Sequence, residues 1–580
     1  MKHNLIAIFG FATLLTFGSC GEDFLYKAPQ GSIDQNALQN ATGVELVVAN
    51  AYANLTENGW GATPFNWTFG GMYGGDANKG SDPGDQSVLN EMEMYNTAST
   101  NGYLNEKWVW TYKGSKRVSI AMQIIAATTD MDAALKEVRM GELYFLRAMF
   151  YFESVKIFGP FIPYIDETFT ENDPKVHNDK DIYPNILADV DAAIAKLPAT
   201  QPEVGRANVW AAKALKAKIL MQKGDMTAAK PILKDVIENG KTSNGLKYGL
   251  EDNLNNNWSA LTENGKESIF AVQFSNDAQN NGNSGMSLCY PHNSGPGGCC
   301  GFYQPSYELA NSFKVDANGL PLLDNSYRNG TSVSYVNPSS AKDAPISLNS
   351  NDPVDPRLDF AIGRYGIPYK DWGLPKNDWV RNPVNGGIFL PKKHVYSVAE
   401  KEAGQTAIHD GWAPGSTMNL QYLSLRDCIL MYAECLANDG DLKGAMDLVN
   451  QIRTRAALPA NIIKNAAGQP AANYKISTYP QNHAAFTDKA TCIKAVRMER
   501  KLELAMEGQR WFDLQRWGGS VMATELKAYV DFEKQYIPKF AAASYLQAAR
   551  TMFPVPDGQI QTMGNDESGK PYLVQPEPWK

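Results

Sequence analysis

The sequence lacks the short motifs of several common enzyme classes, and it lacks an excess of positive charge. It contains no HExxH, no GxSxG and no GxxxxGK[ST] segment, so nothing in it indicates zinc-protease, serine-hydrolase or P-loop chemistry. Its six histidines are scattered, with no pair at the spacing of metal ligands. The net charge of −8 argues against nucleic acid as a partner, because phosphate binding needs a basic face.

Long apolar runs are also scarce. The longest, residues 5–17, is shorter than the ~20 residues that a membrane-spanning helix needs, and no later run reaches ~18 residues. With Lys2 before it, the run fits the h-region of a secretory signal. We therefore expect residues 1–19 to be a cleaved signal peptide and the rest of the chain to be a globular body.

The end of this signal resembles that of bacterial lipoproteins, because Phe17-Gly18-Ser19 places small residues directly before Cys20. The resemblance implies cleavage before Cys20, lipidation of its thiol and new amine, and attachment to the outer membrane. The acidic pair Glu22-Asp23 resembles the export tag of lipoproteins that face the cell exterior, although a solvated tether would be acidic too. An ordinary secretory signal whose Cys20 pairs elsewhere remains the alternative.

Cysteine is rare, with seven residues in the whole chain. Cys428, Cys435 and Cys492 are expected to be small buried hydrophobes. Cys289, Cys299 and Cys300 lie in a Gly/Pro/Asn-rich segment, where one pair could close the loop as a disulfide in an oxidising compartment. No CxxC spacing accompanies them, so we assign no zinc site.

Several segments have the apolar periodicity of helices. The pattern predicts helices over residues 36–55, 106–127 and 131–158, the last ending at Gly159-Pro160. Two later segments share one pattern at identical offsets, namely an apolar stretch, a Gly-Asp turn and a second apolar stretch. These are residues 217–233 and 433–449. Each matches a tetratricopeptide helix-turn-helix, a unit that buries its apolar face only by stacking on neighbours.

The segment between the two copies, about 245–420, has a different character. It is rich in Asn, Gly and Pro, and short stretches at Ser268–Ser275 and Gly386–Ser397 alternate like strands. Loops of this length in a compact protein usually serve a function.

Five segments, in order along the chain, resemble the SusD/RagB family of outer-membrane nutrient-binding lipoproteins. They are Cys20 with Asp23-Phe24-Leu25, "GELYFLRAMFYFESVKIFGPFIPYI", "LRDCILMYAECLANDGDLKGAMDLVNQIRTRAALP" and "RMERKLELAMEGQRWFDLQRWG", followed by "MFPVPDGQI" near the end. The resemblance implies a mainly α fold, an interrupted tetratricopeptide-like superhelix with a large loop-rich insertion that carries short strands. It divides the chain into signal peptide 1–19, lipidated tether 20–35, N-terminal helical region 36–245, loop-rich ligand-binding subregion 246–420 and C-terminal helical region 421–580.

The same resemblance implies a non-catalytic protein that captures nutrient glycans and delivers them to a SusC-like TonB-dependent transporter. A peptide ligand is the first alternative, and a surface glycosidase is the second. A third hypothesis is a scaffold whose helical repeats bind only proteins. Within "ERKLELAMEGQR" the charges fall three or four residues apart, so we expect Glu503 and Glu507 to form ion pairs along a helix face rather than to act as catalytic carboxylates.

A sugar site needs flat aromatic platforms with amide or carboxylate groups at their edges. The loop-rich stretches supply both, and the candidate ligand-binding residues are Trp60, Trp67, Tyr73, Asp76, Asn78, Lys79, Tyr290, Trp372 and Trp379. Asp76-x-Asn78-x-Gly80-x-Asp82 resembles a calcium-binding loop but departs from it at the sixth and twelfth positions. We assign no cofactor, and structural calcium stays an open alternative.

Overall fold

The computed structural model describes residues 35–580, except 57, 58, 63, 170, 172, 277–281, 331, 335–350, 408–412 and 545–549. The predicted signal peptide, the lipidation site Cys20 and the tether up to residue 34 lie outside the described residues. No helix within the described ranges is both long enough and apolar enough to span a bilayer.

Helices dominate the described chain. The α-helices are α1 Ala41–Ala53, α2 Val88–Glu93, α3 Gly102–Ala127, α4 Ala133–Phe158, α5 Tyr183–Lys196, α6 Val209–Lys223, α7 Met226–Asn239, α8 Tyr307–Ser312, α9 Leu358–Ala361, α10 Pro383–Gly386, α11 Val398–Glu402, α12 Leu425–Asp439, α13 Leu442–Ala456, α14 Lys489–Glu503, α15 Arg510–Trp517, α16 Gly519–Glu533 and α17 Asp557–Met563. The strands are β1 Ala77–Gly80, β2 Ser268–Val272, β3 Phe302–Pro305, β4 Ile362–Gly363, β5 Leu390–Pro391, β6 Thr406–Ala407, β7 Gly415–Ser416 and β8 Leu420–Ser424.

The long helices stack as hairpins, which confirms the predicted helical-repeat fold. The contacts run in the order α1, α3, α4, α5, α6, α7, α12, α13 and α14, each helix packing on the next. Helix α4 is buried along most of its second half, from Gly141 to Phe158, and ends at Gly159 as predicted. Such a helix has no solvated face because neighbours cover it on all sides.

The two copies of the sequence repeat form the hairpins α6–α7 and α12–α13. In each turn the glycine, Gly224 or Gly440, takes the left-handed conformation that favours glycine. The following Asp225 or Asp441 caps the next helix by accepting a backbone N–H through its side chain. Helix α7 packs directly on α12, so the copies adjoin in space although they lie far apart in the chain.

The loop-rich segment contains only short, two-stranded pairings in its described part. Strand β2 pairs antiparallel with β8, which confirms the strand predicted at residue 268, and β1 pairs antiparallel with β3. The strand predicted over residues 386–397 is mostly wrong, because only Leu390–Pro391 pairs, with β4. The glycines and prolines around it favour turns instead.

The segment "ERKLELAMEGQR", expected to present one helix face, is broken between α14, which ends at Glu503, and α15, which begins at Arg510. Met506 and Gly508 both have positive φ there, and a Cβ on Gly70 would lie 1.7 Å from the Gly508 carbonyl oxygen, so the backbones touch. Glu503 therefore does form ion pairs, as predicted, but its partners do not lie along its own helix face. Glu503 pairs with Arg455 and with Arg357, on α13 and in the loop-rich segment.

Candidate functional site

The structure buries most of the predicted ligand-binding side chains. At most 2% of the surface of each is exposed for Trp67, Tyr73, Asp76, Asn78, Lys79, Tyr290 and Trp379. Trp60 and Trp372 are partly exposed. A fully buried side chain offers no surface to a ligand in this conformation, so among the nine these two tryptophans keep accessible ring area. A ligand role for any of the nine stays a prediction.

Asp76 and Asn78 tie β1 to the C-terminal helices. The Asp76 carboxylate accepts the Met506 backbone N–H at 3.2 Å. Burial raises the pKa of Asp76 to about 7, although Arg510 and Lys501 act in the opposite direction. The Asn78 amide accepts from the Tyr529 hydroxyl at 2.7 Å and donates to Glu533 at 3.0 Å. Both side chains therefore face inward.

Lys79 shapes the loop that follows β1. Its Nζ donates to the carbonyl oxygens of Asp82 at 3.1 Å and Asp85 at 2.7 Å, and to the Asn90 side chain at 2.9 Å. Burial lowers the pKa of Lys79 to about 8, while the nearby Glu93 raises it. The ammonium group thus holds the loop from beneath.

Strand pairing brings a second loop beside this one. Gly80 opposes Phe302 at the end of the β1–β3 pair, and the Ser81 N–H donates to the Gly301 carbonyl at 2.6 Å. Below this junction the Trp67 ring contacts Phe302 and Tyr303 edge-on, with centroids 6.1 and 5.9 Å apart. An aromatic layer therefore supports both loops.

A third loop completes the surface. The His292 N–H donates to the Trp379 carbonyl at 2.8 Å. The Arg381 guanidinium forms ion pairs with Asp82 at 2.8 Å and with Asp85 at 2.6 Å. We call residues 81–86, 291–301 and 376–382 together the three-loop surface.

The accessible polar groups of the three-loop surface are not those that the sequence predicted. The side chains of Arg381, Asp82 and Asp85 are 30%, 43% and 29% exposed. The Asn293 amide donates to Asp378 at 3.1 Å. Sequence reasoning missed these residues, and the only signal was their position among glycines and prolines.

A disulfide joins Cys299 to Cys300 within the second loop. The prediction that one pair among three cysteines forms a disulfide thus holds for neighbours in sequence, and the bond closes a small ring rather than the loop. Cys289 is free and buried, as are Cys428, Cys435 and Cys492. The side chain of Cys299 is half-buried, whereas Cys300 is buried.

Trp372 lies over an aromatic row that continues beneath the disulfide loop. Its indole N–H donates to the Tyr396 carbonyl at 2.9 Å, and its ring meets the Tyr396 ring at 5.9 Å. Tyr396 in turn meets Tyr290 edge-on at 5.4 Å. Trp60 lies elsewhere, in a turn where the Gly61 N–H donates to Glu106 at 2.8 Å.

A separate cavity of about 900 Å³ lies between α3, residues 163–175 and α17. Trp108, Tyr112 and Met563 contribute apolar wall, and Lys116 and Asp173 contribute charge. None of the predicted site residues lines it. Charged and amide side chains from three elements line it, but none of its lining residues belongs to the loop-rich subregion 246–420. We therefore take the three-loop surface, to which that subregion contributes two loops, as the candidate site.

The described residues contain no group of three or more His, Cys, Asp or Glu placed to hold a metal ion. In the segment that resembles a calcium loop, Asp76 and Asn78 point inward and Asp82 pairs with Arg381. The geometry of these three residues therefore does not converge on one cation position.

Comparison with known proteins gives matches over nearly the whole chain. A family model described as "SusD family" matches residues 266–575, more than half of the chain, and one described as "Starch-binding associating with outer membrane" matches residues 34–221. A SusD-like protein of Bacteroides ovatus is 22% identical over 542 residues, covering 89% of this chain and 83% of that protein.

Solved structures share the fold. A SusD superfamily protein from Bacteroides vulgatus superposes with a TM-score of 0.66 at 18% identity, covering 93% of this chain and 99% of that one. Surface glycan-binding protein A from Bacteroides thetaiotaomicron, solved in complex with laminarihexaose, has a TM-score of 0.61 at 16% identity, covering 92% and 99%.

Proposed function

This chain belongs to the SusD family, and from that premise we propose that it is a surface lipoprotein that binds nutrient glycans. It passes them unchanged to a SusC-like TonB-dependent transporter. Cys20 is the lipid-attachment site, and the lipid holds the protein on the outer face of the outer membrane. The family's description, "associating with outer membrane", supports this location. Several acyl chains would anchor it firmly, since each buried CH₂ contributes ~0.8 kcal/mol.

The three-loop surface is the observation that supports glycan binding best. It places a guanidinium, two carboxylates and side-chain amides at its rim, and it has an aromatic layer beneath. Sugar hydroxyls bond to such rim groups, and the partly exposed Trp372, which packs on Tyr396 of the buried layer, supplies apolar surface for a C–H face. The loop-rich subregion 246–420 supplies two of the three loops, which supports its proposed role as the ligand-binding part.

The experiment is a binding panel with maltoheptaose, laminarihexaose, xylohexaose, mannohexaose and short peptides, measured by calorimetry on the mature protein. We expect affinity for at least one glycan, and Arg381→Ala should weaken it by about tenfold, the loss of one well-placed contact. Lys247→Ala, which removes an exposed lysine elsewhere, should leave it unchanged. Binding of peptides alone would favour the peptide alternative.

The same panel tests the non-catalytic role. After long incubation with each bound glycan, chromatography should recover the glycan intact. In the three-loop surface both Asp82 and Asp85 pair with Arg381, so neither carboxylate is arranged as an unpaired acid or base. Release of shorter sugars would refute the non-catalytic role.

Anchoring and partner require the full-length chain in its native membrane. Palmitate labelling should be lost in Cys20→Ala, and surface protease treatment should digest the wild-type protein on intact cells. Capture of the lipidated protein in detergent should bring down a TonB-dependent transporter. A protein that is unlabelled and secreted, or captured with no transporter, would contradict these parts of the proposal.

A further inference from the structure

The Cys299–Cys300 disulfide reaches the surface on one side only, because Cys300 is buried and packs in the hydrophobic core. Cys299 is half-buried, and the residues on either side of the pair, Gly297, Gly298 and Gly301, have no side chains that could cover the sulfurs. All three glycines have positive φ, which suits glycine and keeps the turn tight. Cys299 is thus the half of the disulfide that this part of the three-loop surface presents to solvent.

The disulfide rests on a rigid base. The Cys300 N–H donates to the Leu288 carbonyl at 3.2 Å, and the Gly301 N–H donates to the Tyr290 carbonyl at 2.9 Å. A Cβ on Gly297 would lie 2.2 Å from the Tyr290 ring, so backbone and ring are in close contact. A surface that is already fixed loses little conformational entropy when a ligand binds.

Polar groups surround this apolar spot. A Cβ built on Gly301, the residue after Cys300, would lie 3.4 Å from the Arg381 Cβ and 3.6 Å from the His292 Cβ, so both residues pack beside the end of the disulfide turn. The Asn293 N–H donates to the Gly298 carbonyl at 3.0 Å, and its side chain reaches Asp378. The arrangement is an apolar centre with hydrogen-bonding groups at its edge.

We propose that the Cys299–Cys300 disulfide is an apolar platform on which the C–H face of one sugar ring of a bound glycan packs. Sulfur is soft and polarisable and therefore packs favourably against apolar C–H groups, and the hydroxyls at the edge of the ring reach Arg381 and Asn293. The disulfide takes the place that an aromatic ring occupies in many sugar sites. This inference rests on the proposed function of glycan binding.

The first test uses the wild-type protein and asks whether glycan shields the disulfide. A water-soluble phosphine cleaves the S–S bond to two thiols and, with water, becomes the phosphine oxide. The rate of thiol formation at Cys299 and Cys300 is followed by mass spectrometry, with and without saturating glycan from the panel. Shielding by contact should slow the reaction about tenfold, in proportion to occupancy. Buried Cys289 serves as an internal thiol reference.

The second test measures affinity after the bond is lost. Reduced protein and the double variant Cys299→Ser, Cys300→Ser should bind the same glycan about tenfold more weakly while remaining folded at the assay temperature, as checked by circular dichroism. If glycan does not change the rate of disulfide reduction, or if affinity is the same with and without the disulfide, the platform proposal is refuted. Neither result contradicts the proposed glycan binding. If the oxidised protein binds no glycan in the panel, the proposed function is refuted, and so is the platform proposal that depends on it.

Discussion

Neutralising Glu503 should destabilise the fold strongly, because its carboxylate sits at the meeting point of two regions. The side chain is 1% exposed and pairs with Arg455 on α13 and with Arg357, the latter at 3.0 Å. Arg357 also pairs with Asp355 at 2.8 Å, and Arg455 with Glu267 at 3.1 Å. Glu503→Gln keeps the shape and removes the charge on which both guanidinium groups depend.

The magnitude follows from two independent arguments. Removing one partner of a buried ion pair costs about 3–5 kcal/mol, and the lower end applies because each arginine keeps a second carboxylate. The arginines also hold the pKa of Glu503 at about 2, against an ordinary value of 4.5, despite the opposing effect of burial. At ~1.4 kcal/mol per pKa unit, this depression corresponds to roughly 3 kcal/mol of stability.

The pH dependence has a definite sign. A depressed carboxyl pKa contributes stability that is complete above the unfolded pKa and is lost as pH falls toward the folded one. The contribution of Glu503 is therefore complete above about pH 5, is about 1.4 kcal/mol at pH 3, and vanishes below about pH 2. The wild-type and variant unfolding free energies should converge on acidification.

Urea denaturation at pH 7, 5 and 3 measures these differences. Glu238→Gln is the matched control, because Glu238 pairs only with Lys234 among the described ion pairs and is 53% exposed, so we expect no measurable change. If Glu503→Gln lowers the unfolding free energy by less than about 1 kcal/mol at pH 7, or by the same amount at pH 7 and pH 3, the Glu503 carboxylate does not stabilise the fold as proposed.

Two further predictions concern Asp76 and Lys79, buried residues at and just before β1. Asp76→Asn should raise the unfolding free energy by up to ~4 kcal/mol at pH 8 and leave it unchanged at pH 4. Burial raises the pKa of Asp76 to about 7, so its buried charge costs stability only as pH rises. Equal effects at both pH values in urea titrations would contradict this. Lys79→Met should speed amide hydrogen exchange in residues 81–86 and weaken glycan binding, because the Asp82 and Asp85 carbonyls lose their hydrogen-bond donor. Unchanged exchange there would show that the order of this loop does not depend on Lys79.

The helical part of the fold was predictable from sequence because its signals are local. Apolar periodicity and the Gly-Asp turns located α3, α4 and both repeat hairpins to within a few residues. The break after Glu503 was not predictable. It depends on a backbone contact between Gly70 and Gly508, which lie at opposite ends of the sequence.

The candidate site was less predictable, because the composition of a segment does not show how deeply its side chains are buried. Residues around Trp67 are rich in glycine and aromatics, which is typical of surface loops, yet Trp67–Met72 forms a buried π-helical turn. The reason is non-local, since a Cβ on Gly71 would lie 2.0 Å from the Tyr303 hydroxyl, and only glycine allows that approach. Segment 77–80 is covered because β1 pairs with β3.

These observations explain why the charged and polar residues predicted as ligand contacts, such as Asp76 and Lys79, lie one layer below the surface. A loop such as 81–86 has few apolar side chains to bury, so its order depends on charged groups beneath it, and Lys79 supplies them. A charged residue used in this way must be buried and saturated with hydrogen bonds, and it is then unavailable to a ligand. The groups of the three-loop surface that remain accessible are those that reach solvent between the loops, such as Arg381 and Cys299, and our proposals for ligand binding rest on them.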